Sequence, residues 1–196
     1  MTRRLPALLL GSLLLLTAPE AWAKTEAGDL LWQDQVDFAG GADAALAVAA
    51  AGERVVAVGS AQNAAGNTDF VVRAYDAKTG ALLWKDQVNA GGANDAASAV
   101  VIEGDVVVVG GTSQPVTGSP RLILRAYAVK NGKLAWEDRS ALQSFNGLAS
   151  VGSRVLITGT TATTTGATRL FVRGYVTKTG VIAWQDRPAP PVGYDN

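Results

Sequence analysis

The 196-residue sequence has no cysteine and no histidine. Without thiols there is no disulfide, no thiolate nucleophile and no cysteine-based zinc site, and without imidazole there is no Ser-His-Asp triad and no histidine-ligated haem. An excess of charge of either sign is lacking too. Lys and Arg number 17 and so do Asp and Glu, so no field exists to recruit nucleic acid or an anionic membrane. Helical periodicity is absent after residue 24, and there is one long apolar run, from Leu5 to Leu16.

That run follows Met1-Thr2-Arg3-Arg4 and leads to the small-residue site Ala21-Trp22-Ala23, which is the order of regions in a secretory signal peptide. Residues 1–23 are expected to be the leader. An uncleaved anchor is the alternative, but the run is shorter than the roughly 20 residues that span a bilayer, and Pro6 and Pro19 bound it. No lipidation cysteine follows. The expected product is exported, periplasmic or extracellular, without a membrane span.

What is present is a repeat. Arg73-Ala74-Tyr75-Asp76-Ala77-Lys78-Thr79-Gly80-Ala81-Leu82-Leu83-Trp84-Lys85-Asp86 returns as Arg125 through Tyr127, Gly132 and Trp136 to Asp138, and again as Arg173 through Tyr175, Gly180 and Trp184 to Asp186. A partial copy, Gly28-Asp29-Leu30-Leu31-Trp32-Gln33-Asp34, precedes them. Trp32, Trp84, Trp136 and Trp184 are 52, 52 and 48 residues apart, a period that points to a repeat architecture. Within one copy, Phe70 to Tyr75 reaches a turn at Lys78-Thr79-Gly80 and leaves as Ala81 to Trp84, a β-hairpin in which Gly80 takes positive φ. If Asp76 faces Ala81, then Arg73 faces Trp84 with Asp86 on the same strand face, and the guanidinium lies on the indole and reaches the carboxylate. Recurrence once per repeat assigns Arg73, Trp84, Asp86, Arg125, Trp136, Asp138, Arg173, Trp184 and Asp186 to structure rather than to a binding site. Alanine at any of the three arginines is expected to lower stability alike.

Each repeat reads as a meander of four antiparallel strands, with blades at about 43–87, 95–139 and 147–187, an extra strand over 30–36 and a Pro-rich tail over 188–196. The run Val106-Val107-Val108-Val109 is apolar on both faces, as a sheet between two other sheets requires. A β-sandwich is the competing architecture and would alternate more cleanly. The fold class expected is therefore all-β, with propeller-type four-stranded antiparallel blades, about three of them forming an open arc or part of a ring.

The run Ala74-x-Asp76-x-x-Thr79-Gly80-x-x-x-Trp84 resembles the docking motif of quinoprotein-like, or PQQ-like, β-propeller repeats, and the resemblance spans nearly all of the chain after the leader. The second copy departs from it at Ala128 and Asn131, the third at Gly174 and Val176. Such blades occur in dehydrogenases that use pyrroloquinoline quinone with calcium, and in non-catalytic scaffolds such as the lipoprotein of the outer-membrane barrel assembly machine. The dehydrogenases often carry an adjacent cysteine pair under the cofactor, which this chain cannot supply. The resemblance therefore implies a non-catalytic binding or scaffold module without cofactor, a protein partner or a homodimer, and, as the alternative, a fragment or subunit of a quinone-dependent dehydrogenase.

In a meander the long loops share one rim, where binding residues of rigid scaffolds usually sit. The residues there that break the repeat are Phe38, Gln114, Arg121, Gln143, Phe145 and Arg169. Asp43 and Asp95 each follow a Gly-Gly pair and read either as carboxylate ligands or as residues that close the turn before a strand. No catalytic or metal-binding residue is expected.

Overall fold

The computed structural model describes residues 28–141, 143–162 and 166–186, so the leader and the Pro-rich tail lie outside the described residues. The chain divides into a short unit, residues 1–30, and a second unit, Leu31–Asn196, which carries all the strands. Among the described residues no helix is long and apolar enough to cross a membrane.

Among the described residues twelve strands form three four-stranded antiparallel sheets, each in sequence order. The first blade is β1 (Ala44–Ala51), β2 (Arg54–Gln62), β3 (Thr68–Asp76) and β4 (Leu82–Val88). The second is β5 (Gly92–Glu103), β6 (Val106–Pro115), β7 (Arg121–Ala128) and β8 (Leu134–Asp138). The third is β9 (Ser144–Val151), β10 (Arg154–Ala162), β11 (Thr168–Val176) and β12 (Ile182–Asp186). Blade 1 packs on blade 2 chiefly where β1, β2 and β3 meet β5, and blade 2 packs on blade 3 where β5, β6 and β7 meet β9. The three sheets do not close into a ring, as the expected open arc requires.

Blade 2 shows why Val106–Val109 carries no polar residue. Val107, Val109, Ile123 and Tyr127 pack against Val56, Val58, Phe70, Val72 and Trp84 of blade 1. Their neighbours Val106, Val108, Leu122, Leu124 and Ala126 point the other way, against Val155, Ile157, Phe171 and Tyr175 of blade 3. Side chains alternate across a strand, so a sheet enclosed on both sides needs apolar residues at every position.

Two glycine positions recur for steric reasons. A Cβ on Gly59, Gly111 or Gly159 would come 1.8, 1.9 or 2.2 Å from the carbonyl oxygen of Ala44, Ala96 or Ser144, where the first strand of each blade bulges against the second. Gly80, Gly132 and Gly180 adopt φ of 71°, 70° and 70°, as the hairpin turn demands. A Cβ there would also strike the indole of Trp32, Trp84 or Trp136, at 2.6 Å in each case.

The hairpin register differs from the sequence reading. Tyr75 does face Leu82, but a β-bulge follows, so Ala74 faces Trp84, Arg73 faces Lys85 and Val72 faces Asp86. The same shift occurs at Ala126/Tyr127 and Gly174/Tyr175. One extra residue moves a side chain to the opposite face. Arg73 therefore lies on the other side of its sheet from Trp84 and Asp86, and the expected trio does not form within a blade. The expected strand over 30–36 is also not a strand, since it joins no ladder. Residues 31–38 are held by side chains on the outer face of blade 1 instead.

Seam burial sets a testable difference among the tryptophans. Trp84 is 8% exposed and Trp184 44%. Trp84→Ala should destabilise the fold by about 3–5 kcal/mol, as truncation of a buried tryptophan does, and Trp184→Ala by about 1 kcal/mol or less. Urea denaturation of the two variants, followed by circular dichroism, measures the difference.

Candidate functional site

The bulge assembles the repeated residues across the seams between blades. Trp84 of β4 donates its indole N–H to the Val129 carbonyl of blade 2 at 2.9 Å, and its ring lies 5.6 Å from that of Tyr127. Tyr127 donates its hydroxyl to Asp86 at 2.9 Å, and Arg125 is 3.4 Å from the same carboxylate. At the next seam Trp136 donates to the Thr177 carbonyl at 2.8 Å and stacks on Tyr175 at 5.7 Å. There Tyr175 and Arg173 both donate to Asp138. The expected guanidinium over indole is replaced by Arg73, Arg125 and Arg173 over the rings of Tyr75, Tyr127 and Tyr175, at 5.6, 5.6 and 5.8 Å.

The segment before blade 1 repeats the pattern. Trp32 donates its indole N–H to the Ala77 carbonyl at 2.9 Å and stacks on Tyr75 at 5.6 Å. Asp34 accepts from the Tyr75 hydroxyl and from Arg73, each at 2.8 Å. Those two hydrogen bonds, from Tyr75 first and Arg73 second, hold the Asp34 carboxyl below the ordinary aspartate range. A groove of about 340 Å³ stays open between this segment and the blade 1 face, bordered by Phe38, Val48, Val55, Ala57 and Val71.

The loop rim adjoins this groove, which Phe38 and Asp43 both line. Its loops are tied together: Gln62 donates its amide N–H to Asp43, Thr68 donates to Asn94, Arg139 donates to the Ala90 carbonyl, and Gln143 donates to the Thr160 carbonyl. Of the residues singled out from the sequence, Asp43 also accepts from the Phe38 amide, and Asp95, fully buried, accepts from the Ala90 amide. Both carboxylates accept from backbone amides of the loops beside them. Phe38 is half-buried over blade 1 and Gln114 donates within its own loop, to Pro115 and Gly118. Phe145 packs into the core between blades 2 and 3, its ring over Gly110, so it is a seam residue rather than a rim residue. Arg169 is half-buried and pairs with Thr161 across β10 and β11.

Arg121 alone of that set borders open grooves on two sides. One, of about 600 Å³, runs over blades 2 and 3 between Ser119, Pro120 and Arg121 and the residues Gln143, Thr161 and Arg173. The other, of about 280 Å³, lies beside Arg139 and Ala90. Arg139 was missed from the sequence because it directly follows a repeat copy, and its rim position depends on its contacts with Glu137 and with the loop before β5. The tyrosines were missed as partners of Trp and Asp, although their fixed place two residues after each arginine was visible.

Asp34, Asp86 and Asp138 are bonded to tyrosines and arginines at the seams, and Asp43 and Asp95 to loop amides. Among the described residues no three carboxylates converge.

Stacked four-stranded antiparallel sheets joined through tryptophans of their last strands define a β-propeller-type repeat protein. The chain belongs to the PQQ-like repeat family described as outer membrane protein assembly factor BamB, whose model matches residues 19–189. Among solved structures, the computationally designed Ika4 protein is 17% identical with a TM-score of 0.49, the match covering 79% of each chain. The computationally designed Ika8 protein is 15% identical with a TM-score of 0.48, the match covering 73% of this chain and 36% of that one. No curated protein matches.

Two outcomes follow from the seams. Arg173 donates to Asp138, Ser140, Tyr175 and Gln185 and its side chain is 7% exposed, against 11% for Arg125 and 14% for Arg73. Arg173→Ala should therefore lower the melting temperature more than Arg125→Ala or Arg73→Ala, by about 2–3 kcal/mol in stability, rather than all three alike. Burial raises the hydroxyl pKa of Tyr75, Tyr127 and Tyr175. In the unfolded chain they ionise near pH 10, so the stability they contribute is fully present below about pH 10 and is lost as pH rises beyond it. Urea midpoints measured from neutral pH to about pH 11 should fall steeply only above about pH 10.

Proposed function

We propose that the protein is an exported, non-catalytic β-propeller repeat module that binds a protein partner through the loop rim of blades 2 and 3. The observation that carries the reading is the division of labour among side chains. At the two internal seams the repeated Trp, Tyr, Arg and Asp residues bond to one another, whereas Arg121 and Gln143 border a rim groove held by interlocked loops. Such a groove on a rigid scaffold suits an extended peptide or a loop of another protein, with Arg121 favouring carboxylates. Export is supported by the residue 1–23 leader pattern. The family's description as an outer-membrane assembly factor points in the same direction, towards a protein that works by contact with other proteins. The partner class comprises other exported proteins and a second copy of this chain.

The alternative, a fragment or subunit of a quinone-dependent dehydrogenase, is separated by titration with pyrroloquinoline quinone and calcium. No saturable absorbance change is expected, and a stoichiometric end point would overturn the non-catalytic reading. In a pull-down from periplasmic extract, Arg121→Glu should lose the captured protein while its melting temperature stays within about 1 °C of the parent, since exposed substitutions change stability little. Capture that is unaffected by Arg121→Glu would move the binding surface away from this groove.

A further inference from the structure

Each blade has two unlike faces. One, the donor face, carries the last strand's Trp and Asp, and the other, the acceptor face, carries Tyr, Arg and the turn glycine. Inside the chain the donor face of blade 1 meets the acceptor face of blade 2, and the donor face of blade 2 meets the acceptor face of blade 3, by the same set of contacts. Two faces are left over. The acceptor face of blade 1 holds Trp32 and Asp34, which reproduce the donor contacts on Tyr75, Arg73 and Ala77. They stand in for the outer strand of a missing blade, and the 340 Å³ groove beside them is part of the space its other strands would fill.

Among the described residues the donor face of blade 3 is open. Leu170 occupies the position of Phe70 and Leu122 in the ladder register and is 61% exposed, where those two are fully buried. Trp184 is 44% exposed, where Trp84 is 8% exposed. Asp186, the counterpart of Asp86 and Asp138, is exposed as well. The face also differs at one point. Ala74 and Ala126 lie opposite Trp84 and Trp136, but Gly174 lies opposite Trp184, and a Cβ there would come 2.8 Å from the Trp184 indole nitrogen. Gly174 thus lets the undocked indole rest against its own sheet.

From these two complementary ends we infer that the blade 3 face of one copy docks on the blade 1 face of a second copy, with Trp184 and Asp186 displacing Trp32 and Asp34 from Tyr75, Arg73 and Gly80. This deepens the reading of the chain as a propeller module with protein partners by naming one partner and its surface. The occupant is a second copy because the chain carries both halves of a seam that it already builds twice. Donor and acceptor faces are different surfaces, so the contact is head-to-tail, and it closes only if the rotation it generates allows. Residues 31–38 then act as an intramolecular cap that competes with the partner for one acceptor.

Sedimentation of the purified full-length protein across micromolar concentrations tests the inference. The parent should self-associate with concentration. Trp184→Ala/Asp186→Asn should weaken association at least ~30-fold, the size of a hot-spot truncation, while its thermal melt as a monomer stays close to that of the parent. Trp32→Ala/Asp34→Asn, which removes the cap, should strengthen association several-fold, with the sheet signal in circular dichroism showing that the blades are intact. Association that survives Trp184→Ala/Asp186→Asn would overturn the inference, since it would run through another surface. So would a parent and a cap variant that both stay monomeric. A parent and a cap variant that both stay monomeric while the parent still captures its partner through Arg121 would sink the docking model and leave the rim reading standing, and loss of rim capture with association unchanged would do the reverse.

Discussion

The indole N–H of one tryptophan at each internal seam, given to a turn carbonyl of the next sheet, couples the local geometry of the hairpins to the stacking of the array. Sheet faces of Val, Ala and Leu are slippery, because apolar packing is non-directional and tolerates small translations. The bond from Trp84 to Val129 and the one from Trp136 to Thr177 remove that freedom. They also explain the turn glycines, whose missing Cβ is the floor on which the indole lies. The Tyr-Asp-Arg cluster beside each indole adds charge-assisted bonds at the half-buried edge of the seam, where an unpaired carboxylate or guanidinium would be costly. One device thus sets strand register, blade spacing and the identity of five residues per repeat.

The sequence was most legible where a physical requirement recurs with the period. The spacing of 52, 52 and 48 residues between Trp32, Trp84, Trp136 and Trp184, the apolar run Val106–Val109 and the turn at Lys78-Thr79-Gly80 give the sheet count, the enclosed central blade and the hairpin, and all three are in the structure. Less legible was the side of the sheet on which each residue falls. Counting back from the turn puts Arg73 opposite Trp84, but the bulge after Tyr75 adds one residue on β4 and sends the arginine to the other face. No residue type announces that bulge, since Leu82-Leu83 and Leu134-Ala135 are ordinary strand residues. The contacts that Arg125, Trp84 and Asp86 make run between blades rather than within one.

The rim was legible as a place and only partly as a set of residues. Meander topology puts the long loops on one edge, and the hydrogen bonds among them agree. Which of those residues face solvent depends on how each loop folds back. Asp95 and Phe145 are drawn inwards, one to satisfy a loop amide and the other to fill the space over Gly110, whereas Arg121 stands between two grooves. Residues that break a repeat can do so for packing as well as for binding. Only the local surroundings separate the two.

A stacked repeat leaves two end faces, and the two ends here are treated differently. The acceptor end is covered by a short tethered segment through Trp32 and Asp34, while the donor end keeps Leu170 and Trp184 in solvent. Tethering gives residues 31–38 an effective concentration of order millimolar at their site. A second copy present at about micromolar concentration must therefore offer roughly 4 kcal/mol more than the segment does in order to replace it. Trp184 and Asp186 alone cannot supply that margin, because they only duplicate what Trp32 and Asp34 already provide. The surplus has to come from the rest of the blade: Leu156, Leu170 and Val172 would cover Val55, Ala57 and Val71, beside which the groove lies open, much as Val58, Phe70 and Val72 cover Val107, Val109 and Ile123 at the first internal seam. A cap that copies the specific contacts of a seam but omits its apolar bulk keeps an isolated chain from exposing its acceptor, and it yields only to a partner that brings a whole sheet.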